Sequence, residues 1–251
     1  MAVALATQTS SPVQAANINV NASCDLASAI IAANTDSSFN GCPTGNGADT
    51  INLVSNSTVS FTSAHPYGSY AGGYSALPFV NSTITIQGNN STLLRDEAVD
   101  DIFRLIEVRT SGNLTLNDLT LENGNATTAG GAINCANAEL NLSNSTVSNN
   151  QVIARGGGIF ANGCAVTISN SVVSDNIAYS QQYGIGGGIH HVYGSLTIDE
   201  SSIVNNFAGA VGGAMFISNT SSVSVNQSQI CLLYTSPSPR DLSTSRMPSS
   251  A

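Results

Sequence analysis

The residues able to do chemistry are few and widely spaced. The densest charge in the chain is Arg95, Asp96 and Glu97 followed by Asp100, Asp101 and Arg104. These oxygens suit a hard cation, but they lack the alternating ligand spacing of a calcium loop, so a solvated loop is the expectation. Asp118, Asp175 and Asp199 carry carboxylates in the repeats. Glycoside hydrolysis needs two carboxyl groups facing each other across the scissile bond. Asp118, however, aligns with Asn144 and Asn170, and Asp175 with Asn149 and Asn205, so both read as members of amide rows. Asp199 sits beside Glu200 at a solvated corner. His190 and His191 are adjacent, and on a strand one faces in and the other out, which keeps them from sharing a metal. His65, Tyr67, Tyr70 and Tyr74 fall in a Gly-rich stretch, 63–76. Exposed tyrosines there would stack on sugar rings, although the composition reads as a disordered insertion. No catalytic residue, metal set or cofactor is assigned on these grounds.

Composition narrows the partners. Lys is absent, six Arg face fifteen acidic residues, and the formal net charge is -9. Nucleic-acid binding relies on cations that neutralise phosphate, so that class is excluded, and an anionic membrane surface is disfavoured for the same reason. No apolar run reaches the length needed to span a bilayer as a helix. With 41% hydrophobic and 8% charged residues, the chain can bury a core but must cover it with neutral amides and hydroxyls.

The elements that position these residues come from an internal repeat. Leu114-Thr115-Leu116, Leu140-Asn141-Leu142, Val166-Thr167-Ile168, Leu196-Thr197-Ile198 and Val223-Ser224-Val225 open successive blocks. Glycine pairs begin at 130, 156, 186 and 212, each followed by Ile133, Ile159, Ile189 or Met215 two or three positions on. The period is about 26 residues, and the four extra residues of the third block fall within 179–185. Period-two alternation with β-branched residues predicts short strands, three per repeat. Asn and Gly at the joints tolerate a left-handed backbone. Such a repeat describes one turn of a stacked coil, in which equivalent side chains lie about 4.8 Å apart. The fold class is therefore all-β, a right-handed parallel β-helix. Ile133, Ile159, Ile189 and Met215 are expected to stack inward, and Asn150, Asn176 and Asn206 to form an amide ladder at a corner.

Residues 17–50 read as an N-terminal cap. Asp25 caps a predicted helix from Leu26 to about Asn34, with Leu26, Ile30 and Ala33 on one face. Residues 51–230 are the solenoid, whose early strands are placed at 50–53, 82–86 and 103–106. Residues 1–16 are read as the remnant of a signal peptide. Four cysteines outside the last segment allow three pairings. Cys24 and Cys42 flank the cap helix and its loop, and Cys135 and Cys164 lie about one coil apart. Those two pairings are favoured, with buried free thiols as the alternative. Bridges would fit an oxidising compartment.

Gly-Gly-Ala-Ile at 130–133, Gly-Gly-Ala-Met at 212–215 and Phe216-Ile217-Ser218-Asn219 resemble the short repeats of polymorphic outer-membrane proteins. Asn-Ser-Thr-Val-Ser-Asn-Asn, 144–150, is similar to segments of many bacterial right-handed β-helix surface proteins. The resemblance covers roughly 110–230. It implies a non-catalytic, secreted or outer-membrane-associated passenger with an adhesin-like role, whose partners would be glycans or host or cell-surface proteins. A carbohydrate-active enzyme, lyase or hydrolase, or a glycan-binding module on the same fold is the alternative. The last segment, 231–251, resembles instead the in-frame translation of a sequencing-library adapter. Cys231 to Asp241 match one part and Ser245 to Ala251 another, with a barcode-sized gap between. It is expected to be a non-native, disordered tail on a truncated solenoid.

Overall fold

A computed structural model describes residues 15–70, 73–220 and 222–231. The readings of 1–14 as a leader remnant and of 232–251 as a tail lie outside the described residues. The fold is a parallel β-solenoid of about five turns with one helix near the N-terminus.

Each regular coil has four faces. The first is the Leu-Thr-Leu type of strand, running in successive coils through Thr83–Arg95, Asn113–Glu122, Glu139–Ser143, Ile159–Ser169, Ile189–Asp199 and Ser222–Asn226. Its parallel register places Ile18, Ile51, Ile86, Leu116, Leu142, Ile168, Ile198 and Val225 in one continuous inward row. The second face stacks Leu93, Leu121, Val147, Val173, Ile203 and Ile230. The third consists of two-residue strands, Asn125–Ala126, Gln151–Val152, Ile177–Ala178 and Phe207–Ala208. Runs so short carry no readable period, so the sequence pattern had not separated this face from the loop beside it. The fourth face stacks Ile106, Ile133, Ile159, Ile189 and Met215. All but the last are fully buried, and each such side chain contributes about 1.5–3 kcal/mol by leaving water. The strand expected at 103–106 begins instead at Ile106. There Leu105 and Ile106 both donate to the carbonyl of Ala132.

The corners follow from residue type. Asp118, Asn144, Asn170 and Glu200 hold left-handed φ values between the first and second faces, and Asn123, Asn149, Asp175 and Asn205 hold them between the second and third. Short amide side chains lower the steric cost of that backbone. Before the fourth face, Gly130, Gly156, Gly186 and Gly212 are also left-handed. A Cβ there would lie 2.1–2.6 Å from the carbonyl oxygen three residues on, so the coil closes there only around glycine.

At the N-terminal end, helix Leu26–Thr35 lies over the first coils with Leu26, Ala29, Ile30, Ala32 and Ala33 buried. Asp25 caps it, its carboxylate accepting from the Ser28 amide at 2.7 Å. The Cys24–Cys42 and Cys135–Cys164 bridges are both present. The second joins neighbouring coils inside the core, Cys135 pairing in register with Ala161 and Cys164 lying three residues further on.

Candidate functional site

Two irregular segments interrupt the repeat where the third face of a regular coil would run. One is 62–76, the other 96–103. Together with Ala126 and Thr127 they enclose a cleft of about 650 Å³. Its walls are Ser63, Ala64, His65, Pro66, Gly73 and Tyr74 on one side, and Asp100, Asp101, Ile102 and Phe103 on the other.

Residues 63–76 are folded where described, which corrects the reading of this stretch as a disordered insertion. Pro66–Gly68 form a 3-10 turn, and Ser69–Tyr70 pair antiparallel with Gly73–Tyr74. The buried Ser75 hydroxyl donates to the Leu77 carbonyl at 2.7 Å, and the Tyr67 amide donates to His65 Nδ1 at 3.2 Å. Tyr67 and Tyr74 remain exposed, at 63% and 56%. Burial holds the His65 imidazole below its usual pKa, and Asp25 offsets this in part.

The charged cluster is only in part the solvated loop expected from its density: Glu97, Asp100 and Asp101 are exposed, but the two arginines are not. Arg104 is fully buried and Arg95 nearly so. Arg104 Nη1 bonds Glu107 Oε2 at 2.7 Å, and Arg109 Nε bonds Glu107 Oε1 at 2.8 Å. Arg104 also donates to the Ala129 carbonyl in the next coil. Burial lowers the Arg104 pKa, and Glu107 opposes the shift. The guanidinium packs directly under Gly73, where a Cβ would meet Nη2 at 2.8 Å, and the positive φ of 124° at that residue favours glycine there. Arg95 donates to the carbonyls of Asp101 and Val99 and lies 5.5 Å from the Phe103 ring centroid. The loop 96–103 is thus wrapped around a buried cation, while Asp100 and Asp101 stay exposed at its tip.

Loop 96–103 also borders a second, more polar recess of about 570 Å³, lined by Arg95, Glu97, Glu122, Asn123, Asn125, Asn149 and Gln151. Residues 125 and 126 separate the two hollows. Glu97 is weighed above as part of the charged cluster, but the sequence singles out none of Glu122, Asn125 and Gln151 as site residues.

No family model, curated protein or solved structure matches this chain. The site's chemistry therefore rests on its own residues.

The remaining singled-out residues lie elsewhere. Asn150, Asn176 and Asn206 are wholly buried. Asn150 Nδ2 donates to Asn176 Oδ1, and Asn176 Nδ2 to Asn206 Oδ1, each at 3.0 Å. Each of the two acceptors also takes the preceding asparagine's backbone amide. A second ladder of hydroxyls runs beside it through Ser145, Ser171, Ser201 and Ser228, each accepting from a backbone amide one coil earlier. Its serines recur at the same step as the asparagines, a signal the sequence reading had not used. Asp118 and Asp175 hold different corners two turns apart and do not face each other. His190 points outward between Phe160 and Phe216, with ring centroids 5.2 Å away on both sides. His191 points inward, with Nε2 3.1 Å from the Cys164 carbonyl and Nδ1 2.9 Å from the Thr220 hydroxyl. Among the described residues no group of three or more His, Cys, Asp or Glu is placed to hold a metal.

Proposed function

We propose that this chain is a non-catalytic, secreted or cell-surface solenoid with an adhesin-like role, presenting its lateral loops to glycans or cell-surface proteins. The observation that carries the reading is the Cys135–Cys164 bridge, which staples neighbouring coils inside the core. Structural disulfides form and persist in oxidising compartments and are rare in the cytosol. The Gly-Gly-Ala and Phe-x-x-Asn resemblance to outer-membrane passengers points the same way. No helix among the described residues is long and apolar enough to cross a membrane. Fractionation of the native source with protease shaving of intact cells tests it. The expected result is a surface-accessible protein whose non-reduced peptides contain the 135–164 linkage. A cytoplasmic protein with free thiols at those positions sinks the reading.

A carbohydrate-active enzyme on the same fold is the second reading, favoured by Asp100, Asp101 and His65 at one cleft. Release of reducing ends or unsaturated products from a polysaccharide panel, lost in Asp101→Asn, would support it over the first.

A further inference from the structure

We infer that the paired hollows flanking loop 96–103 form a binding site for a neutral oligosaccharide segment, a proposal that names the ligand class of the surface function above and rests on that reading. A sugar ring presents two chemistries, an apolar C–H face and an edge of hydroxyls. The hollows separate the same two. Tyr74, Pro66, Ile102 and Phe103 give the first cleft its apolar walls, with the Tyr74 ring half exposed over it. Aromatic faces of this kind pack well against ring C–H groups while keeping a polar tip in water. Asp100 and Asp101 stand at the rim of that cleft, and Glu97, Glu122, Asn125, Asn149 and Gln151 line the second. Carboxylate oxygens accept strong charge-assisted bonds from hydroxyls, and amides both donate and accept.

Charge selects among glycans. The cation bordering the hollows, Arg95, spends its Nε and Nη2 on the carbonyls of Asp101 and Val99, and four carboxylates line the rims. Against a chain of net charge -9, a uronate or sulfated sugar would meet repulsion, whereas a neutral chain would not. Geometry gives the direction of a longer ligand. Thr127 at the cleft floor is followed on the next coils by Ile153 and Tyr179, both exposed, since the amides of Ile153 and Tyr179 each bond to the third-face strand one coil before. A linear glycan leaving the cleft along the solenoid axis would run over that apolar row.

The test is calorimetric titration of the full chain with cellohexaose, xylohexaose and mannohexaose, with hexagalacturonate as the anionic comparator. At least one neutral hexasaccharide binds, and hexagalacturonate binds more weakly or not at all. Tyr74→Ala raises the Kd about tenfold, the loss of one stacking contact. Asp101→Asn, which keeps the carbonyl that Arg95 uses, weakens binding without disturbing the fold. Tyr193→Ala, at the corner between the fourth and first faces, leaves affinity unchanged. Binding by none of the three neutral sugars, tighter binding of hexagalacturonate, or unaltered affinity in both cleft variants overturns the proposal. Surface localisation is read separately, so an exported protein that ignores these sugars sinks this inference and leaves the surface role standing.

Discussion

The regular coils, 113–220, and the irregular coils before them, 49–112, solve the same problem with different chemistry. Both must satisfy polar groups that face a core. In the regular coils the asparagine ladder meets its own copy one turn away, so Asn150, Asn176 and Asn206 complete one another without a single charge. In the irregular coils the hydroxyl row persists, Ser57 meeting Ser91 at 3.1 Å, but the asparagine ladder stops at Gly124. There the polar groups are reached by long side chains, Arg95 and Arg104, whose guanidinium groups fold back on loop carbonyls and on Glu107. Repetition makes neutral groups sufficient. Where repetition fails, ions are buried, and the same breaks leave the hollows that a ligand can enter.

The sharpest way to break this comparison is Arg104→Met. Removing the buried partner leaves Glu107 with only the more exposed Arg109 and strips the Ala129 carbonyl of its donor, and a loss of about 4 kcal/mol is expected in urea denaturation. Asn176→Ala attacks the neutral counterpart. It strands the Asn150 backbone amide and the Val147 carbonyl and takes one acceptor from the Asn150 side chain, and a loss of about 3 kcal/mol is expected. If the two variants differ in the opposite order, ions are not the costlier device.

A third test uses pH. Burial, then Arg155 and His191, pull the His190 pKa from 6.5 down to about 4, so the folded state prefers the neutral ring. The unfolded chain binds the extra proton first. Stability from this group is therefore fully present above pH 6.5 and lost as pH falls from 6.5 towards 4. The loss is about 2 kcal/mol. His190→Phe should flatten that part of the stability–pH curve, as measured by thermal unfolding in matched buffers. The smallest effect belongs to Ser171→Ala, which removes one hydroxyl from the second ladder at a cost of about 1 kcal/mol. A cost near that of Asn176→Ala would mean that both ladders bear equally on the fold.

The regular half was legible because apolar alternation and joint residues recur at one step, so the first, second and fourth faces and their inward rows could be read directly. Cap residue Asp25 and its helix were legible from one side-chain type before an apolar periodicity. The third face was not, since two residues such as Gln151 and Val152 give no alternation to detect. The candidate site was only partly visible. Tyr74 was singled out, but Arg104 looked solvated because charge density in sequence says nothing of a Glu three residues on or of a carbonyl at Ala129. The Ala129 carbonyl, 25 residues on, is brought there by the next coil, and Glu107, though local in sequence, is buried with Arg104 only once the coils stack.

Beyond the N-terminal cap, the longest insertions of this molecule fall on one side of the coil, and the other joints between stacked coils vary by only a few residues. The segments 62–76, 96–103 and 179–185 all lie between the second face and the fourth. Across the last of them, Ile159 still pairs with Ile189 and Val172 with Ser202. A lineage of such proteins could therefore lengthen, shorten or exchange these loops while the stacked rows kept their heights. That flank is open to diversification under selection, and grafted peptides of foreign sequence belong there.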